Sequence, residues 1–245
     1  MRAACIVFPG SNADTEMLRT LDVAGISAQA VWHRESALPA DIDLVAIPGG
    51  FSFGDYLRSG AIAKVSPIVA DIRRHVDRGG LVLGVCNGFQ ILTECGLLPG
   101  ALTRNTHLRF ESRDIFVKVV ASGPFTRGFD GKVLRLPIAH ADGRFHIDDV
   151  GLASLASASS GDAGACVALR YCNSAGDVHP DANPNGSRDA VAGIYGGPRR
   201  NVLGLMPHPE RMSEVIHGCE DGRLLFDAAL RSIAERSSVE RRGSA

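Results

Sequence analysis

A cysteine between two glycines has the spacing of a nucleophile at a sharp turn. Cys86 stands two residues after Gly84 and two before Gly88, where the apolar run Leu81–Val85 gives way to a segment with helical periodicity. Such an elbow forces strained backbone angles on its central residue, so the residues two positions away must be small. The turn also places the sulfur at a helix N-terminus, where the helix dipole favours the nucleophilic thiolate. The pattern predicts a catalytic cysteine, whereas a lone cysteine without these glycines is better explained as a core residue.

A thiolate nucleophile needs a base, and the chain offers eight histidines. His208 is the strongest candidate because it follows an apolar strand and has a carboxylate, Glu210, two residues on. Residues two apart in an extended chain point the same way, and Pro207 and Pro209 stiffen that geometry. A carboxylate beside an imidazole fixes its tautomer and favours its charged form. Cys86, His208 and Glu210 thus make a nucleophile, base and orienting acid, although the last two alone would suit a solvated strand end.

The negative charge that develops in acyl transfer needs two hydrogen-bond donors. In elbow enzymes one donor is the backbone amide after the nucleophile, which here belongs to Asn87. The second comes from a neighbouring loop, and Gly49, Gly50 and Phe51 follow another predicted strand. Glycines there indicate unusual backbone angles or a ligand close to the backbone, although a simple surface turn has the same composition. The whole set predicts acyl transfer through a thioester.

The elements that must position these residues alternate strand and helix in the first half of the chain. Strands are predicted at 3–8, 26–32, 43–48 and 81–85, with amphipathic helices that end near Gly25, Gly79 and Gly96. This alternation predicts an α/β fold with a mostly parallel sheet flanked by helices. In such sheets the active site lies at the carboxyl ends of the strands, where both Cys86 and the glycine loop are expected.

The pattern changes from about residue 105. Strands are predicted at 115–120, 133–137, 166–172 and 190–195 without a strong helix between them, followed by a buried strand at 202–206 and a last amphipathic helix. This favours an antiparallel extension of the same domain over a second domain. We therefore assign residues 1–236 to one domain, residues 153–164 to loop or disorder, and residues 237–245 to a disordered tail.

Composition argues against several classes of function. The 245 residues are 45% apolar and 22% charged, and a formal net charge of −1 gives no case for nucleic acid or an anionic membrane. The start is typical of a first strand rather than a signal sequence, and no apolar run approaches a membrane span. None of the six cysteines forms a Cys-x-x-Cys pair. We therefore expect no metal site, and reduced thiols in the cytoplasm.

The motifs resemble a known family. Gly84-x-Cys86-x-Gly88-x-Gln90, followed much later by His208-x-Glu210, is similar to the class I (triad) glutamine amidotransferases. A longer set of matches, over nearly the whole chain to about residue 230, resembles the glutaminase subunits of phosphoribosylformylglycinamidine synthase. The matching blocks are 8–12, 48–63, 84–92, 137–140, 183–187 and 204–211.

The resemblance implies that the chain hydrolyses glutamine to glutamate and ammonia, with Gln90 helping to bind the substrate. Ammonia would pass to a larger ATP-using synthase subunit, with a small accessory subunit, which converts formylglycinamide ribonucleotide to formylglycinamidine ribonucleotide in purine synthesis. No cofactor is expected in this chain, and ATP and Mg belong to the synthase partner. The chain lacks a Gly-x-x-x-x-Gly-Lys-Ser/Thr loop, which is consistent with ATP binding elsewhere.

Other functions remain open on the sequence. One is the glutaminase subunit of a different amidotransferase, and another is a cysteine peptidase-like elbow protein, although such chains usually carry histidine where this chain has Asn87. A non-catalytic subunit that keeps the fold for binding would be expected to lose a triad residue, and none is missing. His140 follows an apolar segment, so it is either a polar group near the site or partner interface, or a structural loop histidine.

Overall fold

The computed structural model describes residues 1–157 and 164–243, with side chains up to residue 236. Within these ranges the chain forms a mixed sheet with helices packed on its faces. In chain order the elements are β1 Arg2–Val7, α1 Asp14–Val23, β2 Ser27–Trp32, β3 Leu44–Ile47, α2 Ile68–Asp77, β4 Leu81–Val85, α3 Asn87–Glu94, β5 Ala101–Thr103, β6 Glu111–Val119, β7 Val133–His140, β8 Arg144–His146, α4 Asp149–Ser157, β9 Cys166–Cys172, β10 Val191–Gly196, β11 Val202–Leu205 and α5 Arg223–Gly243.

A nine-stranded sheet organises the described residues, in the order β2-β1-β3-β4-β11-β10-β9-β6-β7. The strands from β2 to β11 in this order run parallel, and each later neighbour pairs antiparallel. Strands β5 and β8 form a separate two-stranded antiparallel sheet. The predicted α/β fold, a parallel sheet flanked by helices with an antiparallel extension, is confirmed.

The central strands are buried on both faces because other elements cover them. Every residue of β3, β4, β10 and β11 is buried, which explains why these strands are apolar runs rather than alternating patterns. The α2 helix turns Ile68, Ile72 and Val76 into this core. Burying each such side chain stabilises the fold by about 1.5–3 kcal/mol. The packed sheet and helices therefore hold the ends of the central strands in fixed positions.

Two predictions about irregular segments need correction. The α4 helix covers residues 153–157 of the segment predicted as loop or disorder, because Leu155 buries an apolar side chain that the small, Ser-rich composition concealed. Residues 158–163 lie outside the described residues. The backbone of α5 is helical to Gly243, past the boundary at 236 where the disordered tail was predicted, because the segment continues a helix whose earlier turns pack Phe226, Ala229 and Ile233 into the core. Residues 244–245 also lie outside the described residues.

The carboxyl ends of three neighbouring parallel strands meet at one edge of the sheet. Ile47 at the end of β3 lies opposite Gly84 in β4. Leu205 at the end of β11 lies opposite Val85, the last residue of β4. The segments that follow these strands carry the glycine loop, the cysteine and the histidine. The fold therefore places the three predicted parts of the site side by side.

Candidate active site

Cys86 has a strained backbone conformation between β4 and α3. Its φ of 52° and ψ of −106° lie outside the regions that residues with a side chain normally adopt. Packing requires both flanking glycines. A Cβ at Gly84 would approach the carbonyl oxygen of Gly88 to 2.7 Å, and a Cβ at Gly88 would approach the carbonyl carbon of Ile47 to 2.8 Å. The geometry is that of a nucleophile elbow, in which strain holds the sulfur at the edge of the sheet.

The Cys86 sulfur is enclosed, since only 6% of the residue is exposed. The backbone amide of Cys86 donates to the carbonyl of Leu205 at 2.8 Å, which ties the elbow to β11. Sγ lies 3.8 Å from the carbonyl oxygen of Ala139 in β7. The amide of Asn87 belongs to the first residue of α3, where an amide has no intrahelical acceptor. That amide is in position to donate to an oxyanion formed beside the sulfur.

His208 and Glu210 form a buried pair. Nδ1 of the imidazole lies 2.5 Å from Oε1 of the carboxylate, and the two side chains are 2% and 0% exposed. Burial lowers the pKa of His208, but the charges of Glu210 and Cys86 outweigh burial and raise that pKa above its ordinary value. Nε2 of His208 has no hydrogen-bond partner among the described residues. The carboxylate thus orients the ring and leaves Nε2 for a reacting group.

A tight turn, not an extended chain, brings this pair together. Residues Pro209–Arg211 form a 3₁₀ turn, so the geometric reason predicted for the proximity of His208 and Glu210 is wrong. The carbonyl oxygen of Glu210 accepts hydrogen bonds from the hydroxyls of Thr20 and Ser213 at 3.0 and 3.1 Å. These two hydrogen bonds hold the turn in place. The turn therefore holds the carboxylate 2.5 Å from the imidazole.

The glycine loop after β3 lies against the histidine ring. A Cβ on Gly49 would come within 2.6 Å of Cε1 of His208, so only glycine leaves room for the ring. Gly50 has a φ of +149°, and its amide donates to no backbone carbonyl in the part of the chain that the structure describes. The amide of Phe51 donates to the carbonyl of Gly10 at 2.9 Å. Gly50 is thus an available donor in this conformation, whereas the Phe51 amide must first turn away from Gly10.

A line of hydrogen bonds joins the glycine loop to the opposite wall of the site. The buried side chain of Asn87 accepts from the amide of Ser52 at 3.1 Å and donates to Oε1 of Gln90 at 2.9 Å. Nε2 of Gln90 donates to the carbonyl of Asp142 at 2.7 Å. Both ends of the Gln90 amide are therefore engaged within the protein. Gln90 supports the wall in this structure, and its contact with substrate stays a prediction.

Sequence reasoning left His140 as a polar group near the site or partner interface, or as a structural loop histidine, and did not predict which backbone groups of its segment build this wall. The segment 139–143 contributes the carbonyls of Ala139 and Asp142 to the site. Asn105 and Asn185, both fully buried, hold that segment from behind through the backbone of Gly143. Asn185 belongs to the block 183–187 that matched the family. That block and the block 137–140 were the signals available in the sequence, but their structural roles depend on contacts distant along the chain.

The described residues carry further features that bear on the chemistry. No group of three or more His, Cys, Asp or Glu side chains among them is arranged to hold a metal ion. All six cysteines are free thiols. None of the helices in these ranges combines the length and apolar character of a membrane span.

Comparisons with known proteins agree with this geometry. Residues 1–219 match the family of CobB/CobQ-like glutamine amidotransferase domains. Phosphoribosylformylglycinamidine synthase subunit PurQ of Rhodospirillum rubrum is 52% identical over 237 residues, which cover 96% of this chain and 100% of that protein. The subunit of the same name from Bradyrhizobium diazoefficiens is 49% identical over 229 residues, 92% of this chain and 95% of that protein. The structure of PurLQS from Thermotoga maritima matches with a TM-score of 0.80 and 39% identity, over 95% of this chain and 98% of that chain. The chain belongs to the CobB/CobQ-like glutamine amidotransferase family.

Proposed function

We propose that this chain is the glutaminase subunit of phosphoribosylformylglycinamidine synthase. It hydrolyses glutamine to glutamate and ammonia, and the ammonia serves a synthase subunit that converts formylglycinamide ribonucleotide to formylglycinamidine ribonucleotide. The observation that carries the proposal is the strained Cys86 elbow beside the buried pair of His208 and Glu210. Identity of 52% over 96% of the chain to a subunit of that synthase supports the choice of pathway.

The first half of the proposed reaction makes a thioester. Sγ of Cys86 attacks the carboxamide carbon of glutamine, and His208 holds the proton that the thiol gave up. The amides of Asn87 and Gly50 donate to the oxyanion, a contribution worth about 10²–10³ in rate for each donor. The tetrahedral intermediate then breaks its carbon–nitrogen bond. His208 protonates the leaving nitrogen, and ammonia departs from a γ-glutamyl thioester.

The second half returns the enzyme to its starting state. His208, now neutral, accepts a proton from water as the water oxygen attacks the thioester carbon. The carbon–sulfur bond breaks, and glutamate leaves. Glu210 stabilises the imidazolium in both halves, because its carboxylate is fixed 2.5 Å from Nδ1.

The relatives support the proposal for the partners. The Thermotoga maritima neighbour was solved as PurLQS, and we place this chain in an assembly of that kind. Its partners are a larger ATP-using synthase subunit, which holds ATP and Mg, and a small accessory subunit. The six free thiols fit a reducing compartment, so the proposed site of action is the cytoplasm.

The test compares two nitrogen donors in the assembled enzyme. Cys86→Ala should abolish glutamine-dependent synthesis by several orders of magnitude, because the covalent nucleophile is gone. Synthesis with added ammonium should persist, because the synthase site is on another chain. Cys219→Ala is a matched control, since its sulfur also lies 3.8 Å from a β7 carbonyl, that of Arg135. Glutamine use that survives in Cys86→Ala would refute the site assignment.

A further inference from the structure

Several buried polar atoms of the site and its walls have no protein partner. Among the described residues they include both ring nitrogens of His140, Nε2 of His208 and Oε2 of Glu210. A buried donor or acceptor left unpaired is unfavourable, so native proteins keep such atoms mainly where a ligand or water completes them. The proposed chemistry accounts for His208 and Glu210. It leaves His140 without a role.

His140 lies in the wall of the site. It ends β7 and is 3% exposed. The carbonyl before it, that of Ala139, lies 3.8 Å from the sulfur of Cys86. Two residues earlier in the strand, the carbonyl of Pro137 accepts from the amide of His208 at 2.8 Å. The His140 imidazole is therefore carried by the strand that contacts both the nucleophile and the base.

The surrounding residues hold His140 in place without forming hydrogen bonds to its ring nitrogens. A Cβ on Gly143 would come within 2.6 Å of Cγ of His140, so the glycine lets the ring pack flat on the turn. Nδ2 of Asn105 donates to the His140 carbonyl at 3.0 Å, and Oδ1 of Asn105 accepts from the Gly143 amide at 3.1 Å. Asn185 donates to the Gly143 carbonyl at 2.8 Å. The ring is thus preorganised, which is the expected property of a ligand contact.

The imidazole of His140 is neutral at neutral pH. Burial, followed by the charge of His208, lowers the pKa of His140 to about 4, and the opposing effects of the residue's own backbone and of Glu111 are smaller. At neutral pH the ring therefore carries one donor and one acceptor. A carboxamide has the same complement, whereas a carboxylate has acceptors only.

We propose that His140 is a substrate-contacting residue, whose neutral imidazole hydrogen-bonds the side-chain carboxamide of bound glutamine. The inference rests on the proposed function. The carboxamide must lie at the sulfur of Cys86 to react, and His140 follows the residue whose carbonyl contacts that sulfur. A neutral ring that matches both the donor and the acceptor of a carboxamide favours glutamine over its product, glutamate.

The test measures glutamine kinetics of the complex with the synthase subunit. His140→Leu fills the space without a hydrogen bond and should raise the KM for glutamine about tenfold, with a smaller change in kcat. His140→Gln keeps a donor and an acceptor and should recover part of that loss. The glutamine concentration that half-protects Cys86 from iodoacetamide should rise in parallel in His140→Leu. Protection reports binding directly, so a purely structural role would not produce this pattern.

His75→Leu is a matched control. His75 is also buried, also packs on a glycine, Gly80, and bonds the Leu81 carbonyl through Nε2 at 3.2 Å. Its KM for glutamine should stay at the wild-type value. A wild-type KM in His140→Leu would overturn the inference, and His140→Asn decides by the same criterion if the leucine variant fails to assemble. Failure of the wild-type complex to use glutamine would instead refute the proposed function.

Discussion

Replacing Glu210 by glutamine tests whether a buried carboxylate sets the charge of His208. The substitution keeps the shape of the side chain and removes its charge. Water screens the pair little, because Nδ1 and Oε1 are 2.5 Å apart and both side chains are almost fully buried. Glu210 is the foremost of the charges that raise the pKa of His208 against its burial. Without it that pKa falls, and less imidazolium is present to protonate the leaving ammonia.

The size of the effect follows from the catalytic role of the imidazolium. A positioned general acid and base contributes about 10²–10⁴ in rate, and His208 acts as one only while its imidazolium is stabilised. Glutamine turnover should therefore fall by about 10²–10⁴. Activity that needs the imidazolium is present at neutral pH and is lost as pH rises through the raised pKa of His208. In Glu210→Gln the same loss should begin at lower pH.

The assay is glutamine turnover by the assembled enzyme across the neutral and alkaline range, with ammonium-dependent synthesis as the measure of assembly. Asp181→Asn is the control, because His179 and Asp181 repeat the His-Pro-acid spacing at the surface. That pair is 3.3 Å apart with side chains 61% and 93% exposed, and exposed pairs contribute little. Asp181→Asn should match the wild type. A Glu210→Gln enzyme with wild-type turnover and an unshifted alkaline limb would refute the reasoning.

Two further predictions concern Cys86 and the glycine loop. At neutral pH iodoacetamide should label Cys86 faster than the other five cysteines. Among those five, Cys95 should react slowly because burial raises its pKa to about 11. Equal labelling of Cys86 and the half-buried Cys219 in peptide maps would contradict this prediction. The isolated chain should hydrolyse glutamine slowly, and binding of the synthase subunit should accelerate it about 10²–10³-fold, since a glycine loop can turn the Gly50 amide away from the site at small cost and one oxyanion donor is worth that much. Equal turnover by the lone chain and the complex would show that the loop is a preformed wall.

The elbow was predictable because residue types encode it. Only small residues fit at Gly84 and Gly88 beside a strained Cys86, so the sequence pattern follows directly from local sterics. The alternation of apolar strands and helices likewise encodes the parallel sheet. The pairing of His208 with Glu210 was also anticipated, but its geometry was not, because a 3₁₀ turn replaces the expected extended chain.

The way in which residues 139–143 form the wall was not predictable, for physical reasons. The wall offers backbone carbonyls, and a carbonyl has no residue-type signature. Its position depends on Asn105 and Asn185, which lie far from it in the chain and carry no local signal of their bonding. Strands β5 and β8 were missed because each has three residues, too few to show a period of two.

Capture of the covalent intermediate would show directly whether Cys86 is the nucleophile. The assembled enzyme is mixed with isotope-labelled glutamine, quenched in acid during turnover and mapped by peptide mass spectrometry. We expect a labelled γ-glutamyl group on the peptide that contains Cys86, absent from the Cys86→Ala enzyme. Rapid glutamine turnover with the label on another residue, or with no label on Cys86 at any quench time, would contradict this expectation.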